Sequence, residues 1–394
     1  MEKPTQQAQS IKVLIAGGGT GGHVFPAIAI AHAIKQRACN TRILFVGAKG
    51  RMEMRKVPQA GYHIIGLDIA GLQRRLTWKN LLLPWKLMKS MAGAKKIVKR
   101  FKPDVVIGVG GYASGPVVWA AAGQKQPVLI QEQNSYPGIT NRILGKKADK
   151  ICVAYEGMEA FFQKEKIYVT GNPVRQQVTD IAGKREEALR YFGLASDRPV
   201  LLVTGGSGGA RSINEGVAHN LPGLKEEGIQ LIWQTGAFYF DAAKESAIKA
   251  GEDNLCINAF IDRMDYAYAA ADVVVSRAGA IAVSEISAVK KPAIFIPSPN
   301  VAEDHQTKNA QALVNHNAAS LLKDDEIKQQ LVNEVSALIF DENKKQRFRE
   351  KLAGLSYLNA ADVIAGIALD LASKKRSGTR ISEKPNDKKT KKND

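Results

Sequence analysis

The chain has 394 residues, of which 45% are hydrophobic and 24% charged, an ordinary composition for a globular protein. The length fits two to three domains of about 150 residues. No uninterrupted apolar run approaches the roughly 18 residues that a membrane-spanning helix needs. The net charge of +18 is concentrated in residues 69–103 and 374–394. Because the remainder is nearly neutral, a continuous basic track for nucleic acid is not expected.

Short β-rich runs alternate with helical patterns through the first half of the chain. A strand at residues 11–16 is followed by a glycine loop and an alanine-rich helix near residues 24–35. Further strands are predicted at residues 41–46, 62–67, 104–109, 127–131, 150–153 and 167–170. Such alternation predicts a parallel sheet that is covered by helices on both faces.

The pattern then restarts. A strand at residues 199–203 leads into a second glycine loop and a helix from about Arg211, and more strands are predicted at residues 229–234, 255–258, 272–275 and 292–296. We therefore predict an α/β protein of two doubly wound domains. Residues 1–170 form the first domain, residues 171–373 the second, and residues 374–394 a disordered basic tail. Glycine and Asn-Pro at 171–175 break the periodicity between the domains.

The first glycine loop has the spacing of a dinucleotide-binding loop, with Gly17, Gly19 and Gly22 between a strand and a helix. The second strand ends without the acid that holds a ribose in such sites, which argues against a nicotinamide or flavin. A structural turn is the alternative.

His23 follows at the helix start, where the helix dipole favours the neutral imidazole that a general base requires. A capping or packing role is its alternative.

The second glycine loop, residues 204–211, offers backbone N–H groups and the Ser207 hydroxyl at a helix N-terminus, which suits a phosphate. It lacks the Lys-Ser/Thr pair of a P-loop, so ATP hydrolysis is not expected. Another helix opens near Gly279, and Glu285, about two turns further on, is placed to accept both hydroxyls of a ribose. An exposed helix glutamate is the alternative for Glu285.

Seven motifs occur in order along the chain: Gly18–His23, Gly110–Pro116, Gln131–Asn134, Gly171–Arg175, Gly205–Ala210, Arg277–Glu285 and His305–Asn309. Over residues 11–370 this set resembles the MurG family of peptidoglycan N-acetylglucosaminyltransferases. The resemblance implies a GT-B fold, with two Rossmann-like domains facing across a cleft. It also implies transfer of GlcNAc from UDP-GlcNAc to lipid I, an undecaprenyl-diphosphate-linked N-acetylmuramyl-pentapeptide. The product is lipid II, formed with inversion.

The resemblance places His23 and Glu132 near the attacking hydroxyl; His23 is the first candidate for the base and Glu132 the second. For UDP-GlcNAc it implies a binding set from both domains: Thr20, Gly21, Gly22, Asn134, Arg175, Ser207, Phe260, Ile261, Ala280, Ile281, Ala282, Glu285, His305, Gln306 and Asn309. For the acceptor it implies Gly18, Gly19, Gly110, Gly111 and Tyr112. No cofactor is implied. The sequence has no Asp-x-Asp motif to hold a metal against UDP, so we predict no obligatory metal.

Residues 69–103 contain ten basic residues, no acid, and both Trp78 and Trp85. This composition is typical of an interfacial helix on anionic lipid, and a helix packed on the sheet is the alternative. The polyprenyl acceptor favours a peripheral protein at the cytoplasmic face of the plasma (inner) membrane, where other cell-wall synthesis proteins are possible partners. Two other functions stay open. One is a different GT-B transferase or a UDP-sugar epimerase. The other is nucleic-acid binding, although the sequence contains no recognised nucleic-acid-binding motif.

Overall fold

The computed structural model describes residues 10–69, 83–251, 255–301, 304–355, 357 and 359–379. Within these residues the amino-terminal domain has seven parallel strands in the order 3-2-1-4-5-6-7. They are β1 Lys12–Ala16, β2 Arg42–Ala48, β3 His63–Leu67, β4 Val105–Gly108, β5 Val128–Glu132, β6 Lys150–Val153 and β7 Ile167–Val169. Its helices are α1 Gly21–Arg37, α2 Glu53–Gln59, α3 Leu83–Phe101, α4 Ser114–Gly123 and α5 Ile139–Gly145.

The carboxyl-terminal domain repeats this plan with six parallel strands among the described residues, in the order 10-9-8-11-12-13. They are β8 Val200–Thr204, β9 Gln230–Gln234, β10 Leu255–Asn258, β11 Val273–Ser276, β12 Ala293–Phe295 and β13 Ser320–Leu321. The helices that follow the linker are α6 Gln176–Thr179, α7 Arg185–Phe192, α8 Arg211–Glu226, α9 Phe240–Lys249, α10 Met264–Ala270, α11 Ala280–Ala288, α12 His305–Val314, α13 Ile327–Ile339, α14 Glu342–Leu355 and α15 Ala360–Ser377.

The predicted two-domain α/β architecture is confirmed. Every strand predicted from the sequence is present, and its ends agree to within two residues. The two-residue strand β13 was not predicted, because so short a run carries no periodicity.

The strands are buried on both faces, as a parallel sheet between helices requires. In β1, Val13 and Ile15 pack with α1 and α15, whereas Leu14 and Ala16 pack with residues of α3 and α4 on the other face. All four side chains are fully buried. The continuous apolar run in the sequence therefore reflects a strand with no solvent-facing side.

The strand order reverses direction between β1 and β4 in the first sheet and between β8 and β11 in the second. Loops that leave neighbouring strands at such a point diverge to opposite faces and open a crevice at the carboxyl ends of the strands. Both glycine loops leave the sheets at these points, directly after β1 and after β8. The topology therefore fixes where each domain can bind a ligand.

Helix α15 returns to the amino-terminal domain and packs along α1, with Ile364, Ala368 and Leu371 fully buried there. The sequence pattern had assigned this helix to the second domain and placed the start of a disordered tail at Lys374. An apolar helical stripe predicts burial but does not say against which domain. The helix continues to Ser377, and residues 380–394 lie outside the described residues.

One segment, Glu342–Ser377, is long and apolar enough to cross a membrane by length and composition. It contains α14 and α15, and α15 contributes its apolar stripe to the core around α1. The apolar stripe of α15 therefore packs against α1.

Candidate active site between the two domains

A cleft of about 590 Å³ lies between the carboxyl ends of the two sheets. Its volume falls within the range of small-molecule sites, roughly 300–1,000 Å³. The structure brings His23 and every residue predicted to bind UDP-GlcNAc except Asn309 to the wall of this cleft. The first glycine loop therefore faces the second glycine loop and the start of α11 across this cleft.

The carboxyl-terminal wall contains two loops that lead into helices. The loop after β8 lines the cleft with Gly205–Gly208, and the start of α11 lines it with Gly279–Ala282. The N-cap residues of these helices are Ala210 for α8 and Gly279 for α11, and neither makes a side-chain capping hydrogen bond in the described residues. Uncapped first-turn N–H groups and the positive end of the helix dipole suit a diphosphate.

Gln234 at the end of β9 joins two parts of this wall. Its Nε2 donates to Thr204 Oγ1 (3.0 Å) and to the Gly206 carbonyl (3.1 Å), while its Oε1 accepts from the Ile261 backbone N–H (2.9 Å). It therefore fixes the second glycine loop relative to Ile261, which belongs to the set predicted to bind UDP-GlcNAc. Sequence reasoning missed Gln234, although a polar residue ending a buried strand beside that loop was a usable signal.

Glu285 lies on α11 and is buried in the cleft wall. Its Oε1 accepts a hydrogen bond from Arg175 Nη2 at 3.3 Å, and its Oε2 lies 3.5 Å from the Tyr268 hydroxyl. Burial raises the pKa of Glu285, and the guanidinium of Arg175 opposes that rise. Arg175 Nε is buried without a hydrogen-bond partner in the described residues.

The ring of Phe25 supports Arg175 from the opposite domain. The Arg175 Cζ lies 4.5 Å from the Phe25 ring centroid, which is cation–π distance. Phe25 belongs to α1 and was not singled out from the sequence, because an apolar residue at a helix start gives no sign of a partner 150 residues away. One guanidinium thus contacts both domains at the cleft.

His23 opens onto the cleft from the start of α1, and its Nδ1 lies 3.1 Å from Thr20 Oγ1. Burial lowers the pKa of His23 from 6.5 to about 4; the nearby His305 adds to the lowering, whereas Glu53 and a backbone hydrogen bond to Gly18 oppose it. The ring is therefore neutral at physiological pH. A neutral imidazole that faces a ligand cleft can accept a proton.

Glu132, the second candidate for the base, is buried below the surface of the cleft. Its Oε1 accepts from the backbone N–H and side chain of Asn134 (3.0 and 3.1 Å), and its Oε2 accepts from Asn141 Nδ2 (2.9 Å) and Gly138 N (3.2 Å). Burial raises the pKa of Glu132, and these four hydrogen bonds oppose the rise. Glu132 thus shapes the loop that presents Asn134 to the cleft.

Asn309 belongs to the set predicted to bind UDP-GlcNAc, and it is the one member of that set that does not line the cleft. Its buried Oδ1 accepts from the backbone N–H and hydroxyl of Ser135 (3.0 and 3.1 Å), and its Nδ2 donates to Asn134 Oδ1 at 3.3 Å. The inner face of α12 is turned toward the amino-terminal domain, so this amide joins the two domains.

The glycines predicted to cradle the acceptor permit close packing around His23. A β-carbon at Gly18 would lie 2.2 Å from a Glu53 carboxylate oxygen, and one at Gly110 would lie 2.8 Å from His23 Nε2. A β-carbon at Gly111 would lie 2.1 Å from the Gly18 carbonyl oxygen. These glycines, together with Gly19 and the half-exposed Tyr112, lie beside the cleft and not on its wall. Their contact with an acceptor stays a prediction.

In the described part of the chain, no group of three or more His, Cys, Asp or Glu side chains is arranged to hold a metal ion. The charged and imidazole side chains that line the cleft in the described residues are the guanidinium groups of Arg175 and Arg277, the rings of His23 and His305, and the carboxylate of Glu285. Together with the backbone N–H groups, this set is complementary to a nucleoside diphosphate, with Glu285 as the predicted acceptor for its ribose hydroxyls.

Two Rossmann-like domains that face each other across such a cleft have the architecture of GT-B glycosyltransferases. The sequence comparisons agree. The model of the glycosyltransferase family 28 N-terminal domain matches residues 13–153, and that of the family 28 C-terminal domain matches residues 200–364. The chain belongs to glycosyltransferase family 28.

Among its relatives, a Flavobacterium psychrophilum protein is 51% identical over 94% of this chain and 100% of its own length. That protein is named UDP-N-acetylglucosamine–N-acetylmuramyl-(pentapeptide) pyrophosphoryl-undecaprenol N-acetylglucosamine transferase. The crystal structure of Acinetobacter baumannii MurG matches with a TM-score of 0.72 and 28% identity, covering 91% of this chain and 99% of that one.

A UDP-GlcNAc 2-epimerase from Neisseria meningitidis, solved with UDP-GlcNAc bound, matches with a TM-score of 0.67 and 15% identity. It covers 91% of this chain and 100% of its own. At this identity the likeness shows a shared fold alone, so it does not support the epimerase alternative.

Proposed function

We propose that this protein transfers GlcNAc from UDP-GlcNAc to lipid I with inversion and so forms lipid II for peptidoglycan synthesis. The observation that carries the proposal is the meeting of His23, from the first domain, with Glu285 and the start of α11, from the second, at one cleft. The relative at 51% identity, which aligns over its whole length, is named for this transfer.

The carboxyl-terminal domain holds the donor in this proposal. Glu285 accepts the ribose hydroxyls, Phe260 and Ile261 flank the uracil, and Arg175 and Ser207 bind the diphosphate. All five residues line the cleft. The first turn of α11 adds N–H groups that stabilise the negative charge developing on UDP as it leaves.

His23 acts as the general base. The acceptor hydroxyl gives its proton to a ring nitrogen of His23 while its oxygen forms a bond to the anomeric carbon of GlcNAc. The bond from that carbon to UDP breaks on the opposite face, and its electron pair leaves with UDP. A single displacement of this kind inverts the anomeric centre. Glu132 holds the Asn134 loop and takes no proton, since both of its oxygens already accept hydrogen bonds.

In this proposal the amino-terminal domain binds the cytoplasmic face of the plasma (inner) membrane, where the reaction takes place. Helices α3, α4 and α5 are neighbours, and they expose four apolar side chains: Met88, Trp119, Ile139 and Ile143. The Lys147 ammonium lies 4.4 Å from the centre of the Trp119 ring. Exposed apolar side chains among basic ones support peripheral binding to anionic lipid. Residues 70–82, including Trp78, lie outside the described residues.

Transfer of labelled GlcNAc from UDP-GlcNAc to a short-chain lipid I analogue tests the proposal. The product's mass and the coupling constant of its anomeric proton should show one added GlcNAc in a β-linkage. We expect transfer to persist with EDTA present. A folded protein that binds UDP-GlcNAc but transfers nothing to the analogue, with and without added Mg²⁺, would contradict the acceptor assignment and favour another GT-B activity.

A further inference from the structure

A buried carboxylate lies beneath the first glycine loop. Glu53, at the start of α2, is 1% exposed. Its Oε2 accepts a hydrogen bond from the Gly19 backbone N–H, and its Oε1 accepts one from the Ala48 N–H, each at 2.9 Å. In the described part of the chain, no Lys or Arg forms a salt bridge with it. Burying a carboxylate that is bound by two amides and no cation costs free energy of folding. The proposed roles of the donor-binding residues and of the base do not explain why Glu53 is buried here.

Glu53 binds one end of a peptide group whose other end lies near His23. The Gly19 N–H that donates to Glu53 and the Gly18 carbonyl belong to the same peptide unit. Side chains at Gly110–Gly111 would meet both groups, because their β-carbons would lie 2.8 Å from His23 Nε2 and 2.1 Å from the Gly18 carbonyl oxygen. An interaction with the Gly18 backbone is also among the influences that raise the pKa of His23. Gly18 and Gly19 have φ values of +148° and +91°, which side chains other than glycine rarely adopt. The carboxylate occupies the space that a β-carbon at Gly18 would need.

A negative charge at one end of an amide strengthens the acceptor at the other end, because hydrogen bonds in a chain polarise one another. The contact is buried, so water does not screen it. The carboxylate therefore makes the Gly18 carbonyl a better partner for an N–H of the His23 ring.

We propose that Glu53 is a positioning residue for the transfer reaction. Acting through the Gly18–Gly19 peptide, it holds the His23 ring in one tautomer and stabilises the positive charge that the ring gains with the acceptor's proton. The inference rests on the proposed function, in which that proton moves from the acceptor hydroxyl to His23. Other groups also face this ring: His305 on α12 disfavours its positive charge, and Thr20 Oγ1 lies beside its Nδ1.

A double-mutant cycle between Glu53→Gln and His23→Ala tests the relationship. Glutamine keeps the size of the side chain but removes its charge and can accept from only one of the two amides. We expect Glu53→Gln to lower kcat about tenfold in the wild-type background and less than about twofold in the His23→Ala background. UDP-GlcNAc affinity should be unchanged, and Glu159→Gln, at an exposed glutamate of the same domain, is the control.

Equal fold losses in the two backgrounds, with UDP-GlcNAc affinity retained, would overturn the inference, because a residue acting through His23 has no further effect once His23 is gone. A second measurement does not depend on turnover. In protein labelled with ¹⁵N-histidine, the His23 signals, identified by their loss in His23→Ala, should show one neutral tautomer at pH 7. Glu53→Gln should shift these signals and lower the pKa of the ring.

A wild-type ring that populates both tautomers equally, or ring signals that Glu53→Gln leaves unmoved in a folded protein, would also overturn the inference. If Glu53→Gln does not fold, the wild-type tautomer and Glu53→Asp, which draws the carboxylate away from Gly19, provide the same comparison. A wild type that transfers no GlcNAc would instead contradict the proposed function, while the NMR result would still report on Glu53 and His23.

Discussion

The guanidinium of Arg175 lies 3.3 Å from the carboxylate of Glu285, so the linker between the domains is tied to helix α11, which lines the cleft. Both residues are predicted to bind the donor, Arg175 its diphosphate and Glu285 its ribose. A diphosphate entering the cleft competes with Glu285 for the guanidinium. We expect donor binding to separate this pair, which frees the Glu285 oxygens for the ribose hydroxyls.

Replacing Glu285 by glutamine should weaken UDP-GlcNAc binding about 10- to 100-fold, because hydrogen bonds to a charged partner contribute about 1.5–3 kcal/mol. The effect should appear in the dissociation constant from calorimetry and in the KM for the donor, more than in kcat. Glu245→Gln, at an exposed position on α9, should bind as the wild type does. Unchanged donor affinity in Glu285→Gln would remove Glu285 from the donor site.

Phe25→Leu should weaken donor binding about two- to fivefold, the magnitude of a cation–π contact of about 0.5–1 kcal/mol. Phe25→Tyr keeps the aromatic face and should bind as the wild type does. Binding of UDP, followed by calorimetry, gives the comparison. In an Arg175→Ala background Phe25→Leu should have no further effect; a full loss there would show that Phe25 acts independently of the guanidinium.

The rate of transfer should be nearly independent of pH between 8 and 6. His23 has its pKa lowered to about 4, so the base stays unprotonated well below the ordinary imidazole value. The measurement is kcat/KM against pH, with the short-chain acceptor. His305→Gln should raise the pKa of His23, since it removes a group that disfavours the imidazolium. An inflection near pH 6.5 in the wild type would contradict this environment for His23.

The same shift affects folding. The unfolded chain protonates this imidazole near pH 6.5, while the folded ring resists protonation until about pH 4. Stability contributed by the neutral ring is therefore complete above pH 6.5 and is lost as the pH falls toward 4.

Ile143→Glu, on the exposed face of α5, should weaken binding to vesicles that contain anionic lipid while leaving turnover of a short-chain acceptor unchanged. A carboxylate there opposes both the apolar contact and the surface charge. Sedimentation with vesicles gives the affinity, and Ile248→Glu, an exposed position in the second domain, is the matched control. Equal vesicle binding by the two variants would contradict this surface.

Much of this arrangement could be predicted from the sequence, because parallel strands and the loops after them leave local patterns. Alternating β-rich and helical runs located the strands, and the restart near residue 199 revealed the second domain. Loops that follow strands at a topological switch point must meet at the crevice. The residues of those loops and of the helices they open were therefore found together, with Ser207 and Glu285 as examples.

What the sequence did not show depends on contacts between distant segments. Glu53 lies 34 residues from Gly19, and nothing near it marks a buried carboxylate. Asn309 sits at a predicted ligand-binding position, yet its amide is used between the domains because α12 packs there. Glu132 is a candidate base by residue type, and its four hydrogen-bond donors, which only the structure shows, are the reason we propose a supporting role for it. Likewise, the stripe on α15 could not reveal which domain it covers.

The central claim is that His23, presented by the first domain, takes a proton from an acceptor that attacks a donor held by the second. Single-turnover transfer of GlcNAc by His23→Ala, with UDP-GlcNAc affinity measured on the same sample, tests it most directly. The account predicts a loss of about 10²- to 10⁴-fold in rate with donor affinity unchanged. Near-wild-type turnover by His23→Ala, together with a large loss in Glu132→Gln, would contradict it and assign the proton to Glu132.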